Sequence, residues 1–267
     1  SGSYGGFMGR GKSGQSSSAA TTNDSSTSMK GLKAANSLLI SGGTITIDSA
    51  DDAIHSDTSV TINGGTFEIA SGDDAVHAED TLTVTACNMN VRKCYEGLEA
   101  QEVYIKGGDI VINASDDGLN ASGGTDSSGT TGGRDGMFGG RGMSSSSNGI
   151  IEISGGNLTV YSSGDGLDSN GTLTISGGYI YIANPTSGDT SVIDADSSPV
   201  ITGGTFISTG STTMMAQSFS SSSPQGVIAC TTGTQSAGSA VTVRDSDGNT
   251  VISYETEYSC VLVIISS

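Results

Sequence analysis

Hydrophobic and polar residues alternate in short runs along most of the chain. In "SVTINGGTFEIASG" (59–72), Val60 and Ile62 point to one side, a glycine pair turns the chain, and Phe67 and Ile69 point inward again. An alternation with period two predicts half-buried β-strands, and we read three short strands in each such unit. The inward positions of the equivalent runs are Ile45/Ile47, Phe67/Ile69, Met89/Val91, Ile110/Ile112, Leu158/Val160, Ile180/Ile182 and Phe206.

The units repeat at a nearly constant distance. Each contains a short acidic motif around one apolar residue, and the successive intervals between these apolar residues begin 22, 22, 22 and 21. A period near 22 with several short strands per unit is typical of a parallel β-helix, in which each coil stacks on the one before. We therefore predict an all-β solenoid of about seven coils. The aligned apolar residues are Leu32, Ile54, Val76, Leu98, Leu119, Leu167 and Ile193.

Glycine pairs mark the corners between strands of this predicted solenoid. A sharp corner needs backbone angles that other residues adopt only with strain. One unit has Ala86 and Cys87 in place of the pair. The pairs are Gly42-Gly43, Gly64-Gly65, Gly107-Gly108, Gly155-Gly156, Gly177-Gly178 and Gly203-Gly204.

The repeat divides the chain into three parts. We predict a Gly/Ser-rich arm at 1–28, a β-helix at 29–215 with a Gly/Ser/Met-rich insertion at 122–149, and a C-terminal segment at 216–267. The arm and the insertion resemble each other, and ordering such segments requires packing against something, for which a protein partner is the natural candidate. In the C-terminal segment, "AVTVRDSDGNTVISY" predicts a hairpin, and the final strand "CVLVIISS" either caps the last coil or offers an edge to a neighbour.

The charge balance narrows the class of partner. The chain has 10 basic and 28 acidic residues, which disfavours nucleic acid and anionic membranes and favours cations or basic surfaces. No run of 18 apolar residues is present, so we expect no membrane span. The first residue is Ser1, which fits a processed secreted chain or a trimmed one, and we expect secretion.

The four cysteines of the chain could form at most two disulfides. Cys87 and Cys94 flank a predicted strand of five residues, about 17 Å long, whereas a bridge needs Cα atoms within about 7 Å. That pair is not expected to bridge. Cys230 and Cys260 lie on either side of the predicted hairpin, and a bridge between them stays open.

Stacked coils bring the repeated acids into line. Equivalent residues of neighbouring coils lie about 4.8 Å apart, so the second acid of each motif forms a column with a basic residue, Lys30, at its start. Asp51, Asp73 and Asp116 flank this column, and a second column lies three residues further along each coil. The first column is Asp52, Asp74, Glu96, Asp117 and Asp165; the second is Lys33, His55, His77, Glu99, Asn120, Asp168 and Asp194.

Such crowding needs compensation. Two like charges at this spacing repel by roughly 3–4 kcal/mol at an effective dielectric near 20. Shared protons, spreading into water or a bound cation would relieve it. Carboxylate and amide oxygens suit Ca²⁺, so we expect several calcium ions, held by Asp52, Asp73, Asp74, Glu96, Glu99, Asp116, Asp117, Asn120, Asp165 and Asp168. The alternative is an acidic face that only promotes solubility.

Other side chains give weaker signals. His55 and His77 fall in one outward column and stack, either as a solvent-facing pair or as a transition-metal or proton-sensing site. Tyr104 and Tyr181 fall at outward positions, where exposed rings can stack on sugars, and we expect them, with Tyr95 and Lys93, to contact a bound glycan. No nucleophile motif is present. A lyase would need a base beside the metal, for which Lys93 is the nearest candidate.

The motifs "DDAIH", "DDAVH", "DDGLN" and "GDGLD", the glycine pairs and the insertion resemble a family of secreted bacterial carbohydrate-binding-domain proteins over about residues 29–215. The resemblance implies a right-handed parallel β-helix related in shape to pectate lyases. It implies calcium held by aspartates of adjacent coils, and binding of cellulose or polygalacturonate without established catalysis. Tyr95 and Gly164 replace the first acid of two motifs, and Lys30 and Ser191 begin the end coils.

Two further functions remain open from the sequence. A β-helix has open ends, so the chain could polymerise head to tail into an extracellular filament through its arm, its insertion and its last strand. The second of these functions is that of a calcium-dependent polysaccharide lyase. Polysaccharide binding without catalysis is the expectation taken forward.

Overall fold

The computed structural model describes residues 28–122, 148–184, 188 and 190–267. The predicted arm at 1–28 and the insertion at 122–149 fall almost entirely outside these residues. The described chain contains strands and no helix, so the all-β prediction is confirmed. The strands, in chain order, are β1 Leu32–Ala34, β2 Ser37–Asp48, β3 Ile54–Ser56, β4 Ser59–Ala70, β5 Val76–Val84, β6 Asn88–Cys94, β7 Leu98–Ile105, β8 Asp109–Ala114, β9 Leu119–Ala121, β10 Gly149–Ile153, β11 Asn157–Ser162, β12 Leu167–Ser169, β13 Gly171–Ile175, β14 Tyr179–Asn184, β15 Asp194–Ala195, β16 Val200–Ile201, β17 Thr205–Gly210, β18 Val227–Gln235, β19 Ala240–Arg244, β20 Thr250–Glu255 and β21 Cys260–Ser266.

These strands form a β-solenoid of about seven coils with three parallel sheets. The first sheet stacks β1, β3, the start of β5, the start of β7, β9, β12 and β15. The second stacks the starts of β2 and β4, the ends of β5 and β7, β10, β13 and β16. The third stacks the ends of β2 and β4, then β6, β8, β11, β14 and β17. We number the coils 1 to 7 by their first residues, Lys30, Asp52, Asp74, Glu96, Asp117, Asp165 and Ser191.

The register of the first sheet is the one that the repeat predicts. Ile54 pairs with Val76, and Val76 pairs with Leu98. Leu119 pairs with Leu98 on one side and with Leu167 on the other, although the insertion separates Leu119 from Leu167 in the sequence. The insertion therefore interrupts coil 5 between β9 and β10 and leaves the neighbouring coils in register.

Stacked aliphatic side chains fill the interior. Phe67, Ile69, Val91 and Ile112 have no exposed surface, as the period-two alternation predicts. In coil 1, the first described coil, the predicted inward residue Ile45 is only partly buried. The interior is thus one continuous apolar column.

The glycine pairs make the predicted corners for two separate reasons. At Gly178 the backbone has a φ of 91°, which favours glycine. At Gly177 a Cβ atom would lie 2.4 Å from the carbonyl oxygen of Ser154 in the preceding coil. One glycine therefore supplies the turn, and the other lets neighbouring coils approach.

The C-terminal segment closes the last coil. β21 pairs antiparallel with β17 of coil 7 on one edge and with β18 on the other. Leu262 and Ile264 join the solenoid core, whereas Val263 and Ile265 join a second core under the hairpin of β19 and β20. The strand caps the solenoid. Capping is one of the two roles that the sequence left open for this strand, and both of its edges are paired within the chain.

The four cysteines are free thiols. In the β18–β21 pairing, Cys230 lies opposite Val263 and Cys260 lies opposite Gln235, so the bridge that the sequence left open does not form. Among the described residues, no helix has the length and apolar character needed to cross a membrane.

Candidate functional site

The acidic side chains begin each coil, and the backbone fixes their alignment. We call the line formed by Asp52, Asp74, Glu96, Asp117 and Asp165 the acidic column. The carbonyl oxygen of each member accepts a hydrogen bond from the preceding coil, as in Ala75 N to Glu96 O at 3.0 Å and Gly118 N to Asp165 O at 2.9 Å. The ladder that stacks the coils therefore also stacks the acids.

Aspartate side chains continue the column from coil to coil. The amide of Asp74 donates to Asp52 Oδ1 at 3.3 Å, and the amide of Asp165 donates to Asp117 Oδ1 at 2.5 Å. The amide of Ser191 donates to Asp165 Oδ1 in the same way. The carboxylates of Asp52, Asp117 and Asp165 are thereby each held against the following coil.

The second column forms beside the acidic column as predicted. His55 pairs with His77, His77 with Glu99, and Asn120 with Asp168. Among the described residues, three groups place their ligand atoms within 4.8 Å of one another. These are Asp52/Asp74/His77, Asp51/Asp52/Asp73 and Asp74/Glu96/Glu99.

In coils 1 to 3, basic side chains compensate the acidic column. Lys30 Nζ donates to Asp52 Oδ2 and, at 3.3 Å, to Asp51 Oδ1. Burial by itself would raise the pKa of Asp52, but hydrogen bonds from His55 and Lys30 outweigh it and hold the pKa below its ordinary value. Asp52 is therefore ionised by contacts within the chain.

The two histidines stack, with ring centroids 4.9 Å apart. The expectation that they face solvent is wrong, because His55 is 4% and His77 1% exposed. Each ring is held by the acid three residues before it, His55 by Asp52 at 2.8 Å and His77 by Asp74 at 3.2 Å. That acid-x-x-His spacing is the signal in the sequence that could have indicated buried ion pairs.

Carboxylates surround His77 closely. Burial opposes its charged form, but Asp74 and Glu99 raise the pKa of His77 to about 11. Burial raises the pKa of Asp74 well above its ordinary value, with Glu99 and Asp52 adding to the effect against the hydrogen bond from His77. Burial and the neighbouring acids likewise raise the pKa of Glu96. One imidazolium does not balance this many acids.

In coils 5 and 6, Asp117 and Asp168 have no such compensation among the described residues. Burial, with repulsion from Asp168, Asp165 and Asp116, raises the pKa of Asp117 well above its ordinary value. Burial and repulsion from Asp165, Asp194, Asp196 and Asp116 raise the pKa of Asp168 to about 7. Asp116, Asp117, Asp165 and Asp168 are each partly exposed. Asp116, Asp117 and Asp168 are therefore partly exposed carboxylates that have no basic partner among the described residues.

Gly164 lies where the other motifs carry the first acid, and its missing side chain matters. A Cβ at Gly164 would lie 2.2 Å from Asp117 Oδ1 and 2.4 Å from Asp116 Oδ1. The departure from the acidic motif at this position therefore gives two carboxylate oxygens room to converge.

The donor set fits a hard divalent cation. Asp74 Oδ1 and Asn120 Oδ1 are buried acceptors without a hydrogen-bond partner, and buried polar atoms are rarely left in that state. Burial, with repulsion from Asp74 and Glu96, raises the pKa of the Cys94 thiol, and Cys94 belongs to none of the three groups of potential ligands. Oxygen ligands without thiolate favour Ca²⁺ over soft metals.

The four residues predicted to contact sugar do not form one platform. Lys93 is exposed at the end of β6, and Tyr95 is half-buried at the following corner. Tyr104 is half-buried on the second sheet, where its hydroxyl donates to Glu102 at 3.0 Å and Lys106 Nζ lies 5.3 Å from its ring centroid. They lie on different parts of the solenoid.

The prediction of an exposed ring at Tyr181 is wrong. The side chain does point outward from β14, but the C-terminal hairpin covers it, and the residue is 9% exposed. Tyr181 packs edge to face against Tyr161 and Tyr254, and Tyr161 packs against Tyr258, with centroids 6.1–6.3 Å apart. This tyrosine cluster attaches the hairpin to the third sheet.

Comparison with known proteins gives a family. A family model described as "Carbohydrate-binding domain-containing protein" matches residues 5–75 and 74–256, which is most of the chain. The chain belongs to this family. The matched residues include the whole acidic column and the hairpin. No curated protein and no solved structure matches the chain significantly.

Proposed function

We propose that this family member is an extracellular, non-catalytic module that binds an acidic polysaccharide such as polygalacturonate, with Ca²⁺ held at coils 5 to 7 of the acidic column. The observation that carries the proposal is the group of carboxylates Asp116, Asp117 and Asp168 at a partly exposed corner, which have no basic partner among the described residues. The carbohydrate-binding family supports a saccharide as the ligand.

Exposure separates the two halves of the column. Asp52, Asp73, Asp74 and Glu96 are buried, so a polymer chain has no access to them. Asp116 and Asp168 retain exposed surface, and Asp168 pairs in register with Asn120. A long ligand therefore meets the protein at coils 5 to 7.

The chain's own residues prepare this surface for an anionic sugar. The backbone amides of Asp165 and Ser191 orient Asp117 and Asp165, so the carboxylates are fixed before any ligand arrives. Bound Ca²⁺ supplies positive charge and open coordination positions to a uronate carboxylate. Without a cation, an anionic polymer would be repelled by a protein of net charge −18.

Cellulose is a weaker candidate than an acidic glycan. Neutral sugars stack on flat, exposed aromatic surfaces. Among the described residues, Tyr181 is covered, Tyr104 is half-buried, and the more exposed rings are Tyr179 at 44% and Tyr258 at 40%. These positions do not supply a row of rings at the acidic corner.

A non-catalytic role fits the placement of the lysines. Lys30 is engaged by Asp51 and Asp52, and Lys93 is exposed on the third sheet. Neither is poised as a free base at coils 5 to 7. We therefore propose binding without cleavage.

The test is retention on immobilised polygalacturonate. We expect the full chain to bind in calcium and to be released by EDTA, because the cation supplies the bridge between two anions. Fully methyl-esterified polygalacturonate, which lacks the charge, is the matched control ligand and is expected not to bind. Equal retention of both polymers, retention in EDTA, or release of unsaturated sugars would contradict the proposal.

A further inference from the structure

An imidazole joins the carboxylates where coils 3 and 4 meet. Asp74, Glu96 and Glu99 offer ligand atoms within 4.8 Å of one another. Nδ1 of His77 lies 3.2 Å from Asp74 Oδ2 and 2.5 Å from Glu99 Oε2. A ring nitrogen thus contacts two of the three carboxylates that lie together at this corner.

Two buried oxygens near these carboxylates accept no hydrogen bond. Asp74 Oδ1 has no hydrogen-bond partner, and Asp74 is 1% exposed. Asn120 Oδ1 is also without a partner, and its orientation is fixed because its amide nitrogen donates to Glu96 Oε2 at 2.8 Å. Buried acceptors in this state call for a cation or a donor.

The neighbouring histidine, His55, has an acidic partner at each of its ring nitrogens. His55 Nδ1 contacts Asp52 at 2.8 Å, and its Nε2 contacts Asp57 at 2.9 Å. Asp52 also receives Lys30. His77 Nε2, in contrast, has no partner, although its ring is stacked on that of His55. His77 Nε2 and Asp74 Oδ1 therefore lack the partners that the corresponding groups of His55 and Asp52 have.

The ligand type decides which ion fits. Ca²⁺ prefers oxygen ligands throughout, whereas imidazole together with carboxylates suits Zn²⁺, Mn²⁺ or Co²⁺. Here a nitrogen lies inside the group, between two of the carboxylates. A divalent ion in place of the His77 Nδ1 proton would bring one more positive charge to a group whose acids are crowded, and the proton would leave to solvent.

We propose that Asp74, His77, Glu96 and Glu99 form a separate site for a transition-metal ion of the Zn²⁺ or Mn²⁺ class. The site is distinct from the partly exposed carboxylates of coils 5 to 7 and goes beyond polysaccharide binding. His55 does not bind the ion; its stacked ring fixes the plane of His77. The buried position gives the ion a structural role between coils 3 and 4.

Cobalt(II) is the probe, because its visible absorption reports its ligands. Metal-stripped full-length protein, held in excess Ca²⁺, is titrated with Co²⁺. We expect one bound ion per chain that Zn²⁺ displaces and Ca²⁺ does not. H77Q is expected to weaken Co²⁺ binding by roughly 100-fold or more, because it removes a ligand. Displacement by Ca²⁺, or absence of binding, would overturn the site.

Matched variants separate ligation from folding. H55Q removes the stacked ring but no ligand, so its effect is expected to be at most about tenfold. D168N, in coil 6, is expected to bind Co²⁺ as the wild type does. If H77Q fails to fold, E99Q replaces it, and pulsed electron paramagnetic resonance of the Mn²⁺-loaded wild type reports a bound ring nitrogen. Wild-type affinity in E99Q, or no nitrogen coupling, counts against the site and leaves polysaccharide binding untouched.

Discussion

D168N is expected to change stability in opposite directions with and without calcium. In EDTA at pH 8 the variant should be more stable than the wild type, on the order of 2 kcal/mol, because it removes a crowded charge. Calcium stabilises the wild type and allows it to bind polygalacturonate. D168N should show little of either effect in the calcium buffer. Chemical denaturation in both buffers and retention on the polymer measure these effects.

The pH dependence of the same group has a definite sign. The pKa of Asp168 is raised to about 7, above its unfolded value, so its ionised form is disfavoured in the folded protein. In EDTA this penalty is absent below about pH 4 and grows until the pH passes about 7. Wild-type stability should therefore fall across that interval more steeply than that of D168N.

D247N is the matched control for this substitution. Asp247 is exposed in the turn of the hairpin, away from the acidic column. The same loss of one charge there should leave stability in both buffers within about 0.5 kcal/mol of the wild type. If D168N lowers stability in EDTA, Asp168 is held by attractive contacts, and the account of a crowded, uncompensated corner is wrong.

I264A is expected to lower the free energy of unfolding by about 2–5 kcal/mol. Ile264 is 1% exposed and packs from β21 into the solenoid core. Truncation leaves a cavity at the end of the apolar column, where the capping strand meets coil 7. Urea denaturation followed by circular dichroism measures the loss.

V251A is the matched control for the capping strand. Val251 is 51% exposed on β20, so its truncation should change stability by no more than about 0.5 kcal/mol. Equal stability of I264A and V251A would show that β21 does not close the solenoid.

The repeat made the fold and the columns predictable. In parallel stacking, a constant sequence period becomes a constant register, so pairs such as Leu98 with Leu119 follow from spacing alone. The glycine corners follow for the same reason. The calcium assignment and the secreted location stay predictions, since they concern what the chain meets rather than how it stacks.

Burial across the coils was not predictable in this way. Spacing places His55 and His77 on one column, but it does not show that acids and neighbouring coils cover the rings. Tyr181 was misplaced because the C-terminal hairpin, distant in sequence and outside the repeat, folds back over the third sheet. A periodic pattern predicts contacts between equivalent residues of the repeat. It does not predict contacts made by segments that lack the period.

Thermal melting of the metal-free protein with EDTA or with calcium tests the central claim most directly, namely that the acidic column needs a divalent cation. Calcium at about 100 times its dissociation constant adds about 2.7 kcal/mol per site. For a chain of this size we predict a rise in Tm of about 5–10 °C, with magnesium at equal concentration as the ionic control. An unchanged Tm would contradict the account and leave protons and internal ion pairs as the only compensation.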